Sequence, residues 1–245
     1  MEKAFKKIIK EEYPFLCTNK LLIAVSGGVD SIVLAHLCKM SKMEFSIAHC
    51  NFNLRGEESD ADEAFVKELA EKMEVPFFTQ SFNTLKFAEN AGISIQMAAR
   101  ELRYNWFEEL SNSMEFDYTL TAHHANDNLE TFLINLIRGT GPEGMQGIKD
   151  KHHQLIRPLI NFSRSEIEEF ANTEHLKWRE DSSNASDKYM RNRIRHHMVP
   201  LMQELNPQLL ETFAKTQQHL NESMELVEDY MSLLYPKIIS RDVFG

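Results

Sequence analysis

The stretch Ser26-Gly27-Gly28-Val29-Asp30-Ser31 stands between an uninterrupted apolar run, Leu21 to Val25, and apolar residues at helical spacing, Ile32, Val33, Leu34 and Leu37. A short continuous apolar run reads as a strand buried on both faces, as strands of a parallel sheet are. The chain must therefore pass from strand to helix within six residues. Two adjacent glycines let backbone N–H groups approach an anion, and the helix N-terminus adds partial positive charge. The serine hydroxyls at both ends can donate to phosphate oxygens. The pattern has no lysine to reach a γ-phosphate and no third glycine, so it is neither of the two common nucleotide loops. A glycine turn in which Asp30 and Ser31 cap the helix is the plainer alternative. Asp30 beside a polyphosphate could also assist Mg2+ binding.

The alternation of strand and helix repeats along the chain. Strands are expected at 44–49, 76–81 and 118–122, and helices over 60–73, 93–113 and 126–138. Such units imply an α/β fold, a doubly wound parallel sheet with right-handed crossovers and helices on both faces. Ligands then sit at the carboxyl ends of the strands, which directs attention to the loops after Val25, His49 and Ala122. Beyond Gly139 the stretch GTGPEGMQGIK holds four glycines. It reads as a mobile or tightly turning loop. It is either a cover that excludes water from a reactive site or a plain connection. A short strand at 155–156, a helix over 164–175, the polar stretch EDSSNASDK and a basic helix near 189–198 follow. After Asn206-Pro207, residues 208–235 read as one helix. The expected division is a nucleotide-binding catalytic domain over 1–203 and a short helical C-terminal part over 204–245.

Composition removes several classes. A formal net charge of −10 argues against a protein that coats nucleic acid, but not against one that holds RNA by a local patch. No segment approaches the ~18 consecutive apolar residues of a membrane span, and no membrane partner is expected. The N-terminal MEKAFKKIIKEEYPFL lacks the apolar core of a secretory signal. Cys17, Cys38 and Cys50 form no CxxC pair, which leaves a disulfide scaffold, a zinc ribbon and an iron–sulfur cluster poorly supported. The expected location is cytoplasmic.

Three groups of side chains carry possible chemistry. His123, Asp127 and Glu130 are spaced by four and three, so they share one face of a helix start. The two carboxylates suit a cationic ligand, or are solvated acids that complement the helix dipole. The pair His123-His124 invites a metal reading, but adjacent residues on a helix point apart, and His124 reads equally well as packing. Arg100 and Arg103 face either a nucleotide or neighbouring surface acids. The stretch 188–197 is the densest positive segment, with Lys188, Arg191, Arg193 and Arg195. It is either a phosphate-contacting helix, which would make RNA affinity salt-dependent, or a solvated basic face.

SGGVDS resembles the loop of the ATP pyrophosphatase, or PP-loop, superfamily, whose fold is adenine nucleotide alpha-hydrolase-like. Four further stretches occur with it in order: HCNFNLRGEES from His49, ARELRY from Ala99, AHHANDNLET from Ala122 running on to Arg138-Gly139-Thr140-Gly141, and WREDSSN from Trp178 followed by YMRNRIR from Tyr189. Together they resemble the tRNA(Ile)-lysidine synthase family over roughly residues 20–200. The resemblance implies a ligase that adenylates the wobble cytidine of the CAU anticodon with ATP and joins lysine to C2. Lysidine forms, and AMP and pyrophosphate are released. ATP as co-substrate, Mg2+, the tRNA(Ile) anticodon loop and L-lysine are the implied ligands, and two copies could pair as a homodimer. By the same resemblance Ser26, Gly27, Gly28, Val29, Asp30, Ser31, His49, Asn53 and Arg100 bind ATP. Asp30, His123 and Arg103 are catalytic, with Asp30 as the Mg2+ ligand. Asp127 and Glu130 hold lysine, and Arg55, Lys188, Arg191, Arg193 and Arg195 hold tRNA. The rivals are a PP-loop amidating synthetase for a small molecule, a tRNA thiolase, which would be expected to carry CxxC cysteines, and a non-catalytic nucleotide-binding protein. Family members usually continue into helical C-terminal domains, so a chain ending at Gly245 reads as a fragment or a minimal version.

Overall fold

A computed structural model of the chain describes residues 1–180 and 189–238, with side-chain surroundings through residue 234. Backbone proximity groups the chain into two compact units, Met1–His124 with Asp150–Ser182, and Ala125–Lys149 with Ser183–Gly245.

The first unit holds α1 (Glu2–Glu12), β1 (Leu21–Ala24), α2 (Val29–Met40), β2 (Phe45–Asn51), α3 (Glu57–Lys72), β3 (Phe77–Ser81), α4 (Thr84–Ala91), α5 (Ile95–Met114), β4 (Tyr118–Leu120), β5 (Lys151–His152), β6 (Leu155–Ile156) and α8 (Arg164–Thr173). Its six strands run in the order β3-β2-β1-β4-β6-β5. Every pairing is parallel except the β5–β6 hairpin. Connections from β1 lead outward to β2 and β3, and the chain then returns to place β4 on the other side. The switch point therefore lies between β1 and β4, where open α/β sheets bind ligands.

Alternation along β1 explains the layers. Leu21 and Ile23 enter one cluster with Ile32, Leu34, Leu37 and Ile47, all fully buried. Leu22 enters another with Ala48, Phe107 and Phe116. Each such large side chain contributes about 1.5–3 kcal/mol on burial. The second strand extends to Asn51 because pairing with β3 continues through Cys50 and Gln80 to Asn51 and Ser81. The loop expected after His49 therefore begins only after Asn51. Helix α4 was not expected. Asn83 accepts from the Lys86 N–H at its start, and Gly92 closes it in the left-handed region.

The second unit is helical: α6 (Ala125–Ile137), α7 (Pro142–Met145), α9 (Met190–Arg193), a π-helical segment Ile194–Met198, α10 (Val199–Leu205) and α11 (Leu209–Ile238). Leu129, Leu133, Ile194, Val199, Leu209 and Phe213 form its core. The break before α11 falls at Asn206, as expected from Asn206-Pro207. The glycine-rich stretch is a pinned connection. Asn135 Nδ2 donates to the Gly144 carbonyl at 2.7 Å, and the Ile148 N–H donates to Asn128 Oδ1 at 2.7 Å. Asn128 Nδ2 also donates to Gln217 Oε1 on α11. Among the described residues no helix is long and apolar enough to cross a membrane.

Gly147 has φ +67°, and a Cβ there would press into the Asn128 and Gln217 amides. Gly147→Ala is expected to destabilise the helical unit by about 1–3 kcal/mol, read as an earlier urea midpoint in far-UV circular dichroism.

Candidate active site

At the carboxyl end of β1 the six-residue loop is closed by its own hydroxyls. Ser31 Oγ donates to the Gly28 carbonyl at 2.9 Å and accepts from the Ser26 N–H at 3.2 Å. Ser26 Oγ lies 3.4 Å from both Ser31 Oγ and the Gly28 nitrogen. Gly27 sits at φ +95°, a conformation that L side chains rarely adopt. Gly28 is the N-cap of α2, and no side chain caps that end. The first-turn N–H groups of α2 thus form a partially positive terminus at the switch point, suited to an anion.

Asp30 faces two groups from other elements. Arg164 Nη1, at the start of α8, donates to its Oδ2 at 2.8 Å. His124 Nε2, only 2% exposed, lies 3.7 Å from its Oδ1. His123 Nδ1 instead lies 3.0 Å from Thr121 Oγ1. Of the histidine pair, His124 is thus placed 3.7 Å from the loop aspartate. Arg164 was missed, since 134 residues separate it from Asp30 and no local pattern links them.

His49 is 3% exposed, and its Nδ1 donates to the Val25 carbonyl at 2.8 Å. Burial lowers its pKa, which keeps the ring neutral. This bond ties β2 to the end of β1. Asn53 has φ +51°; its N–H donates to Asn51 Oδ1 at 3.0 Å and its Nδ2 to the Phe82 carbonyl at 3.1 Å. Asn51, also missed, is buried and donates to Asp60 at 3.1 Å and Glu63 at 2.9 Å. Arg103 stacks over Phe52 at 5.2 Å and Arg100 over Tyr104 at 4.8 Å. Burial pushes the Cys50 thiol up to about 12, which removes it as a nucleophile. Arg55, expected on tRNA, places Nη2 2.7 Å from Asp62.

Within the helical unit Asp127 and Glu130 meet Arg191 and Arg195. Glu130 is 1% exposed. Arg195 Nε donates to its Oε1 at 2.6 Å and Arg191 Nε to its Oε2 at 2.8 Å. Arg195 Nη2 lies 3.2 Å from Asp127 Oδ1. Glu130 is therefore not a solvated helix-start acid, and two of the expected tRNA arginines are engaged on it. A buried carboxylate demands such partners. Arg193 is exposed. Lys188 lies outside the described residues. Among the described residues no group of three or more His, Cys, Asp or Glu could hold a metal ion.

Two outcomes follow from these contacts. Glu130→Ala leaves two guanidiniums with Asp127 as their remaining shared acid. The loss is expected to be about 2 kcal/mol, below that of a fully buried pair because both arginines are partly exposed, with Glu130→Gln milder in the same urea titration. His49 takes up its proton less readily folded than unfolded, so stability is full above about 6.5 and falls as pH drops below it. His49→Gln should flatten the decline of the urea midpoint between about pH 7.5 and 5.5; an unchanged slope would assign it elsewhere.

The PP-loop domain family matches residues 1–202. A tRNA(Ile)-lysidine synthase of Bacteroides thetaiotaomicron is 41% identical over 233 residues, 95% of this chain and 53% of that protein. One from Chlorobaculum tepidum is 35% identical over 249 residues, all of this chain and 75% of that protein. The chain spans about half the length of several such relatives. In fold it is similar to the U34-tRNA thiolase NcsA from Methanococcus maripaludis, with TM-score 0.73 at 18% identity over 90% of this chain and 78% of that one. The NH3-dependent NAD synthetase of Campylobacter jejuni aligns at TM-score 0.53 and 15% identity, over 89% and 92%. By its loop, its sheet and these relatives, the chain belongs to the PP-loop domain family and, within it, to the tRNA(Ile)-lysidine synthases.

Proposed function

We propose that this chain is an ATP-using ligase that converts the wobble cytidine of tRNA(Ile) to lysidine in the cytoplasm. The observation that carries the reading is the uncapped N-terminus of α2 beneath the left-handed Gly27, at the switch point of the sheet. A polyphosphate fits there because its oxygens satisfy N–H groups that the chain itself leaves over. Membership of the lysidine synthase family supplies the rest of the reaction.

The C2 carbonyl oxygen of cytidine attacks the α-phosphorus of ATP, and the bond to pyrophosphate breaks. The lysine ε-amine then attacks C2, and AMP departs with the oxygen. Residues Ser26, Gly27, Gly28, Val29 and Ser31 stabilise the charge on the departing pyrophosphate. His123 and Arg103 attend the α-phosphate, and Arg100 the nucleotide. Magnesium, which usually binds through one or two carboxylates plus substrate phosphates, would take Asp30 as its protein ligand and offset polyphosphate charge. Asp127, whose side chain is 15% exposed, receives a lysine ammonium. Glu130 holds the arginines around it, and Arg193 offers a phosphate contact to tRNA.

Pyrophosphate release from ATP should require both tRNA(Ile) and lysine; release with either omitted would point to another PP-loop reaction. Asp127→Ala should raise the KM for lysine by about tenfold or more and leave the KM for ATP within about twofold. Unchanged lysine kinetics would remove Asp127 from lysine recognition.

A further inference from the structure

Asp62 lies on α3, only 7% exposed. Its Oδ2 receives Arg55 Nη2 at 2.7 Å, and its Oδ1 receives Arg179 Nε. One turn further along the same helix face, Val66 and its neighbour Phe65 close the space behind Gly27. A Cβ on Gly27 would stand 3.6 and 3.7 Å from them. The backbone N–H of Arg179 donates to the Gly27 carbonyl at 3.0 Å. One buried acid thus ties two cationic side chains to the glycine that shapes the phosphate loop. Arg55 Nη1 also lies 3.9 Å from Glu58 at the start of α3, so the four side chains balance in formal charge.

The side chain of Arg179 is 37% exposed and that of Arg55 27%. A guanidinium has five N–H donors in a fork that matches phosphate oxygens. A single ion pair to Asp62 through Nε uses one of the five on Arg179. The other donors of Arg179 stand on a residue whose backbone is bonded to Gly27, on the carboxyl side of the sheet. A fork of such donors is what a pyrophosphate needs and an adenosine does not.

We propose that Arg179 and Arg55 line the pyrophosphate end of the loop and that Asp62 is the positioning residue that aims them. The inference rests on the nucleotide reading above and adds the residues that select the leaving group over the nucleoside. Arg55 is accordingly assigned to the polyphosphate and not to tRNA.

Calorimetric titration of the 245-residue chain with inorganic pyrophosphate, ATP and AMP tests it. Arg179→Gln should weaken pyrophosphate binding by about tenfold or more, the worth of a charge-assisted contact, and change AMP binding by less than about twofold. Asp62→Asn should weaken pyrophosphate by a smaller factor, again sparing AMP, and Arg179→Lys should recover part of the loss. Equal pyrophosphate affinity in the wild type and Arg179→Gln overturns the proposal and leaves the nucleotide reading intact. A parallel loss of pyrophosphate and AMP in Asp62→Asn, with a lowered melting temperature, makes Asp62 structural and overturns its positioning role. Should Asp62→Asn not fold, Arg179→Gln at its partly exposed position decides alone. A wild-type chain that binds neither pyrophosphate nor ATP removes both readings together.

Discussion

Gly27 carries more of this structure than its size suggests. The strand before it is shielded on both faces, so the chain cannot leave the sheet gradually. It must reverse into α2 within a few residues, and only a left-handed residue at this point lets it do so. Around that turn the neighbouring elements are arranged as supports: β2 bolts to Val25 through His49, α3 packs behind Gly27, and the Arg179 amide holds its carbonyl. The helix N-terminus that results is directed at the switch point without a side-chain capping hydrogen bond. The geometry that makes the turn possible is also what leaves donors for an anion.

Legibility in the sequence followed the range of the interaction. Leu21 to Val25 and the apolar spacing of α2 announce themselves because burial of a central strand is written in adjacent residues. The sheet class and the place of the loop followed from such local patterns. The extension of β2 to Asn51 did not, because it depends on pairing with β3 some thirty residues away. Nor did the partners of the charged residues. Glu130 and Arg195 are 65 positions apart, Asp62 and Arg179 117, and Asp30 and Arg164 134. A lone acid at a helix start looks solvated until its distant arginine is known. The motif residues were thus visible as a set, while which of them face a ligand and which brace the others was not.

The same lesson reinterprets the charge balance. A net charge of −10 looked unfavourable for a protein that handles RNA and nucleotide. Much of the acidity near the motifs is already matched. Glu130 and Asp127 are balanced by two arginines within one unit, and Asp62 and Glu58 by two in the other. Local sign, set by a few buried acids and the cations they recruit, is decoupled from the global sum.

The interleaving of the two units bears on how the chain is made. The strand β4 is bonded on one edge by β1, but its other edge is completed by β6, which emerges 35 residues later, after α6 and α7 of the helical unit. Until residues 155–156 leave the ribosome, that edge presents unpaired backbone groups, the kind of template on which nascent chains associate. Both β5 and β6 are only two residues long, so this seal is brief in sequence as well as late. A pause in translation between α7 and β5 would lengthen the exposure of β4, and the yield of folded protein should be most sensitive to synthesis rate over that interval.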